Sequence, residues 1–340
     1  MISLVWRKLQ TRNNLLPAFC FTASVLFGVI ASSGMPLAIL GLITGLFLTY
    51  IEITTQLSFR APKRRKPLLD EEAWVMEKHD TKHSQVLSYT FAESKGAEPT
   101  LLLIHGWTSG ASRMVGRAEL FRKRGWNIIM IDLPNHGGSS SIHKWTAEYA
   151  TTSVINVLNQ LPKSNSELFE NELYYYGHSM GGFIGLRLSK RRNELDWEAN
   201  FGGWILESPM TGYSEIFDET SQILRIPKFL RPIVRWRMFS QFNALNENRP
   251  GLSSLAQTNI PIWGMTNEPT LLLQAHNDER LGDSHYLRMQ KSYQVEGLEN
   301  LLTSVVMEDL RHSGCAVHKG RDILVNAWLD GEPVVYSSSD

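Results

Sequence analysis

The sequence predicts an α/β fold, with a mostly parallel central sheet covered by helices on both faces, carried behind an apolar N-terminal hairpin. Three observations predict it. Short, wholly apolar runs recur at 100–104 and 127–133, the signature of strands buried on both sides. Stretches of helical pattern, 111–124 and 145–161, alternate with them, and repeated βα units imply parallel strands. Finally, no charged residue occurs between Arg12 and Glu52, a run of 39 positions.

The N-terminal run comes first. A membrane-crossing helix needs ~20 apolar residues, so 39 positions hold two short ones, at 15–30 and 37–53. Ala31-Ser32-Ser33-Gly34-Met35-Pro36 supplies turn residues between them. Arg7, Lys8 and Arg12 precede the run; Arg60, Lys63, Arg64, Arg65 and Lys66 follow it. Basic flanks prefer the cytoplasm, so residues 1–60 are expected to form a transmembrane hairpin with the body of the chain cytoplasmic. The competing arrangement is one long or kinked anchor with the body outside. A cleaved signal peptide is disfavoured by the length of the run. Residues 61–83 read as a basic linker and lead-in. Its charges either sit on anionic head groups or are a solvated flank.

From about residue 84 to 330 the βα rhythm holds. Residues 85–92 alternate like an exposed strand. Further strands are expected at 173–176, 203–207, 270–275 and 302–307, with a closing helix at 317–329 and a tail at 331–340. The rhythm breaks between Glu207 and Thr270, giving an insertion at about 209–265. There Ile226, Phe229, Leu230, Ile233, Val234, Trp236 and Met238 are interleaved with Arg225, Lys228, Arg231, Arg235 and Arg237. This predicts basic amphipathic helices bent at Pro227 and Pro232. As an insertion at the strand ends it is expected to be a helical cap. It either admits an acyl chain or touches membrane, or packs on the body with its arginines in water.

Charge narrows the function classes. The net charge is zero, but residues 1–66 carry eight Lys/Arg against Glu52 alone, +7, which leaves −7 for the remainder. A slightly acidic body argues against nucleic acid as a partner. The two cysteines, Cys20 in the apolar run and Cys315 near the C-terminus, argue against a structural disulfide and fit a reducing compartment.

The chemistry centres on Gly177-His178-Ser179-Met180-Gly181-Gly182, led by Tyr174, Tyr175 and Tyr176 and followed by a helical pattern. That is the strand–turn–helix setting of a nucleophile elbow. Gly-x-Ser-x-Gly arises by chance in about one chain in ten of this length, with Gly and Ser near 7% each, so the context carries the weight. A serine nucleophile needs a base, an orienting carboxylate and oxyanion donors. In open α/β sheets such groups gather beyond the strand ends. Asp278 follows the strand at 270–275 and His312 follows that at 302–307, giving the chain order Ser, Asp, His. Glu207, Glu279 and Asp283 compete with Asp278, and His318 competes with His312. The backbone N–H groups of Trp107 and Met180 are the expected oxyanion donors. His105 and His136 lack a ligand cluster at zinc-like spacing and read as loop-bracing residues, and His178 as packing beneath the elbow. Neither metal nor cofactor is implied.

With these residues in place, the chain from about 84 to 330 resembles an α/β-hydrolase. Gly177-His178-Ser179-Met180-Gly181-Gly182 is similar to the elbow of monoacylglycerol-lipase-like esterases and related acyltransferases. His105-Gly106-Trp107 resembles that family's oxyanion-loop His-Gly, and Asp132-Leu133-Pro134-Asn135-His136-Gly137-Gly138-Ser139 its Asp-x-Pro-Gly-His-Gly-x-Ser loop. Two positions depart from the pattern. Asn135 replaces a glycine, though asparagine tolerates left-handed backbone. Ala275 stands where a glycine often precedes the acid by three positions.

The expected function is a membrane-anchored serine hydrolase cleaving carboxylic esters, with a lipid-like acyl ester as small-molecule substrate. The same catalytic groups serve an acyltransferase or thioesterase. A silent, membrane-tethered binding protein would be expected to have lost one of the three. A carboxylate nucleophile, as in haloalkane dehalogenases and epoxide hydrolases, is excluded by serine at 179. Oligomeric state is not encoded in any pattern here.

Overall fold

The computed structural model describes residues 15–31, 35–62, 67–69, 72–81, 84–92 and 98–336. The flanking basic residues Arg7, Lys8, Arg12 and Lys63–Lys66 and the turn residues 32–34 lie outside these. The chain divides into two compact units.

The larger unit takes Pro62–Ile142, Ala147–Gly212 and Thr258–Asp340. It holds β1 (Val75–Asp80), β2 (Gln85–Phe91), β3 (Thr100–Ile104), α1 (Val115–Lys123), β4 (Asn127–Asp132), α2 (Ala147–Gln160), β5 (Leu173–His178), α3 (Met180–Lys190) and β6 (Phe201–Glu207). After the insertion come β7 (Thr270–Ala275), α4 (Asp283–Val295), β8 (Leu302–Met307) and α5 (Lys319–Leu329). The strand order is β1-β2-β4-β3-β5-β6-β7-β8. β2 pairs antiparallel with both β1 and β4, and the remaining pairs are parallel. Three elements differ from expectation. β2, expected as an exposed strand, is buried from Val86 to Thr90, with Leu87 and Tyr89 in the main core. The sheet starts at Val75, inside the stretch read as lead-in; β1 is a polar edge strand, mostly exposed, and so has no apolar alternation to reveal it. The closing helix starts at Lys319, because His318 caps it by accepting from the Arg321 N–H.

Both faces of the sheet are covered because alternate strand residues are both apolar. Leu101, Leu103, Ile128, Met130 and Tyr176 pack with Ala118 and Phe121 of α1 and Leu324 and Val325 of α5. The neighbouring residues Leu102, Ile129 and Tyr175 point the other way and are equally buried. There the Tyr175 hydroxyl donates to the Gly181 carbonyl of α3 at 2.6 Å. Strand direction is shared by β3 and β5–β8, so the loops after β5, β7 and β8 leave from the same end of the sheet. In open α/β sheets functional groups gather at that end.

The smaller unit takes Met1–Ala61, His143–Thr146 and Tyr213–Gln257. Its N-terminal part is a pair of helices, Leu15–Ala31 and Met35–Ser58. They run antiparallel: Gly28 lies against Gly41, Ser24 against Gly45, and the Thr49 hydroxyl donates to the Pro17 carbonyl at 3.5 Å. A Cβ on Gly41 would sit 2.6 Å from the Gly28 Cα, so the glycines set the close approach. Among the described residues, one helix has a stretch long and apolar enough to cross a membrane, Pro36–Ser58; the apolar part of the first, Pro17–Ile30, is shorter. The insertion contributes the helices Ser214–Ile223 and Arg231–Leu245 to this unit. The chain breaks at Pro227, as expected. Pro232, by contrast, starts the second helix instead of bending it, because a first-turn N–H has no intrahelical partner to lose.

Candidate active site

The elbow is built by close contacts more than by glycine flexibility. A Cβ on Gly177 would lie 2.7 Å from the Gly182 Cα, one on Gly181 would lie 2.1 Å from the Ile104 carbonyl oxygen, and one on Gly182 2.6 Å from Pro209 Cβ. β5 can therefore turn into α3 only where side chains are missing. The strained residue is the serine itself, at φ 54°, ψ −117°. Its N–H donates to the Glu207 carbonyl at 3.0 Å and its carbonyl accepts from the Met210 N–H at 3.1 Å, so neighbouring backbone holds the turn.

Three side chains meet at this point. The His312 Nε2 lies 2.9 Å from the Ser179 Oγ, and its Nδ1 lies 2.8 Å from the Asp278 Oδ2. With Nδ1–H donating to the carboxylate, Nε2 is left to accept the serine proton. Asp278 accepts further bonds at Oδ1 from the Arg280 and Leu281 N–H groups, both at 2.9 Å, and at Oδ2 from Gln274 Nε2 at 3.3 Å. Burial raises its pKa, but the His312 hydrogen bond and charge and the two backbone N–H groups outweigh this and hold the carboxyl below its ordinary value.

The rival residues are all occupied elsewhere. Glu207 is sealed beneath the elbow, accepting from Arg117 Nε at 2.8 Å, from Arg117 Nη2, from the Tyr176 hydroxyl and from Arg321 Nη1 at 3.5 Å. Burial opposes its charge, but the two guanidiniums hold it far below the carboxylate range. Glu279 accepts from the N–H groups of His312 and Ser313 at 3.4 and 3.2 Å, and Asp283 opens α4. His318 caps α5. Ala275 is the last residue of β7 and has no positive φ, so that position requires no glycine.

The loops around the serine are braced by neutral histidines. His105 Nδ1–H donates to the Gly106 carbonyl at 2.8 Å while Nε2 accepts the Leu133 N–H at 3.1 Å. His136 Nδ1–H donates to the Pro134 carbonyl at 3.0 Å while Nε2 accepts the Thr108 N–H at 3.2 Å. Burial pushes them down to about 4 and about 3 respectively. Asn135 sits at φ 66°, the left-handed backbone expected there, with its Oδ1 accepting the Ile142 N–H at 2.7 Å and its Nδ2 donating to the Pro62 carbonyl. Gly106 lies so close to the elbow that a Cβ would sit 3.1 Å from Ser179 Cβ. Trp107 follows it, its ring edge-on to His136 with centroids 5.5 Å apart, and Met180 is the first residue of α3. The N–H groups at a helix start have no intrahelical acceptor.

Sequence reasoning gives His178 only a packing role beneath the elbow and passes over a second support entirely. His178 donates from Nε2 to the His312 carbonyl at 2.9 Å, and burial, followed by the Arg117 charge, pushes it down to about 3, so it is neutral. Its adjacency to Ser179 was the available signal. The Arg117–Glu207–Arg321 cluster had none, because its members are scattered along the chain.

The fold agrees with that of known proteins. The family model for the alpha/beta hydrolase fold matches residues 99–195, which include β3 and the elbow. This chain has the alpha/beta hydrolase fold. Solved structures extend the likeness across the α/β-hydrolase sheet: an esterase of Pyrococcus furiosus, Pf2001, superposes with TM-score 0.54 at 15% identity, covering 79% of this chain and 96% of that one. Alpha/beta hydrolase domain-containing protein 10 from mouse gives TM-score 0.51 at 15% identity, covering 76% and 97%. In sequence, the chain is 31% identical over 111 residues to the sn-1-specific diacylglycerol lipase ABHD11 of Xenopus laevis. That match takes in 32% of this chain and spans about a third, 33%, of the relative.

Proposed function

We propose that this α/β-hydrolase is a membrane-anchored serine hydrolase that cleaves carboxylic esters. The observation that carries the reading is the hydrogen-bonded series Ser179 Oγ, His312, Asp278, at 2.9 and 2.8 Å. His312 takes the Ser179 proton as the oxygen attacks the ester carbonyl. Asp278 stabilises the imidazolium that results, and the N–H groups of Trp107 and Met180 receive the oxyanion. His312 then returns the proton to the leaving alcohol. A water, deprotonated by the same imidazole, releases the acid from the acyl-enzyme. No step draws on a cofactor.

The substrate class is a lipid-like acyl ester. The apolar helix Met35–Ser58 favours a substrate delivered at a membrane, with the catalytic body on the cytoplasmic side, and the relatives include one named as a diacylglycerol lipase and one as an esterase. A fluorophosphonate probe on detergent-solubilised protein tests the reading. Wild type should label and Ser179→Ala should not, and a panel of acyl esters should be turned over only by wild type. Absence of labelling in folded wild type, both in detergent and with added lipid, would sink it.

A further inference from the structure

The helix Met35–Ser58 changes character along its length. Leu37, Ile39, Leu40, Leu42, Ile43, Leu46 and Leu48 are exposed, whereas Ile51, Glu52, Thr54, Thr55 and Gln56 are buried. The lower half thus offers apolar side chains to a surrounding phase, and the upper half has one face inside protein, with Ile53 and Leu57 on its exposed side. Residues 36–51 span about 24 Å at 1.5 Å per residue, against a hydrocarbon core of about 30 Å. Glu52 therefore comes within about 6 Å of the level where hydrocarbon gives way to head groups.

What covers Glu52 is the insertion. The Arg237 Nη2 donates to Glu52 Oε2 at 2.9 Å and its Nε donates to Oε1, while Gln241 Oε1 accepts from Arg237 Nη2 at 3.2 Å and from Gln56 Nε2 at 3.3 Å. Val234 and Ile226 pack on Ile51 in the same place. Val234, Arg237 and Gln241 are spaced three and four apart, one face of the helix Arg231–Leu245. A neighbouring face of this segment is not covered: Phe229, in the one-turn helix Lys228–Leu230 just before Arg231, is 78% exposed, and Trp236 and Ile233 are 69% and 42% exposed. These three are spaced four and three apart, so they form a stripe. Arg225, Lys228 and Arg235, also exposed, flank it.

We propose that this stripe is a second membrane contact, seated in the head-group layer of an anionic leaflet, with Phe229, Ile233 and Trp236 in the acyl boundary and Arg225, Lys228 and Arg235 on the lipid phosphates. The Glu52–Arg237 pair holds the helix at the exit level of the anchor. An aromatic belt with basic residues is what that depth selects; Arg225, Lys228 and Arg235 have the sign an anionic surface attracts, while the nearby acid Asp218 is 3.7 Å from Arg231. The proposal rests on the membrane-anchored reading.

The test uses full-length protein with Cys20 and Cys315 replaced by serine, reconstituted in nanodiscs with and without phosphatidylglycerol. An environment-sensitive fluorophore is placed on Phe229→Cys, Trp236→Cys, Leu40→Cys or Ile323→Cys, and lipids brominated near the head group serve as quenchers. Fluorophosphonate labelling of each variant checks folding. Positions 229 and 236 should be quenched along with 40, more strongly with phosphatidylglycerol, and exposed Ile323 should not. Replacing Arg225, Lys228 and Arg235 by glutamine should remove the phosphatidylglycerol increment, shifting docking by about fivefold per charge. Quenching at 40 without quenching at 229 and 236 overturns the proposal and leaves the anchor standing. Equal quenching with and without phosphatidylglycerol also overturns it, and no quenching at 40 removes the anchor and the proposal together.

Discussion

Two carboxylates stand close to the elbow, and their surroundings assign them opposite jobs. Asp278 shares a proton-bearing bond with His312, while Glu207 neutralises Arg117 and Arg321. Asp278→Asn should lower turnover by about 10⁴ with melting temperature unchanged, because the amide cannot orient or stabilise the imidazolium. Near-normal turnover in that variant would remove Asp278 from the proposed relay. Glu207→Gln leaves two buried guanidiniums short of charge and should cost about 3–5 kcal/mol of stability. Denaturant titration beside a kcat measurement separates these effects. The sequence left this choice open, since Glu207 and Asp278 both follow strands. The elbow serine was legible, because the glycines that identify it answer to contacts within a few residues.

The Asp132–Ser139 loop shows how an element keeps its shape with an altered sequence. Asp132 accepts the N–H groups of Ala111 and Gly138, both at 2.7 Å, and the Tyr89 hydroxyl at 3.1 Å, tying the loop to its neighbours. Asn135 occupies left-handed backbone and bonds on both sides of its amide. Asn135→Gly keeps the φ but orphans the Ile142 N–H; Asn135→Ala loses the same bonds and adds about 1–2 kcal/mol of backbone strain. The alanine variant should therefore be the less stable of the two. Equal melting temperatures would show that strain at 135 is relieved elsewhere.

At the scale of the whole molecule, acid and the buried ion pair are the points of weakness. His105 titrates at about 4, and His136 and His178 at about 3, all below the ~6.5 of an unfolded chain. The unfolded chain thus binds more protons in that window. Their contribution is complete above pH ~6.5 and is lost as pH falls toward 4, by about 1.4 kcal/mol per pH unit for each. Melting temperatures between pH 7.5 and 4.5 should drop accordingly, and His105→Gln should flatten the slope; an unchanged slope would remove His105 from the account. In the smaller unit, Glu52→Ala strands Arg237 and should cost about 3–5 kcal/mol, whereas Glu52→Leu with Arg237→Met should restore most of it. Limited proteolysis within residues 213–257 reads this out. Equal cleavage of the single and double variants would count against the pair as the clasp.

The sequence by itself determined the parallel strands of the sheet and the elbow, and it placed Asp278 and His312 directly after two of those strands. Those rest on local rules: apolar runs where strands are buried, glycines where backbones touch, and functional groups directly after strands. Only the tertiary structure decided which acid faces His312, that polar Val75–Asp80 is a strand, and that the insertion belongs with the N-terminal helices. Arg237 and Glu52 stand 185 residues apart, and the pairing of charges so distant leaves no periodicity in either segment. Their partnership follows from burial, which forces each charge to find an opposite, and burial is set by the folded chain as a whole.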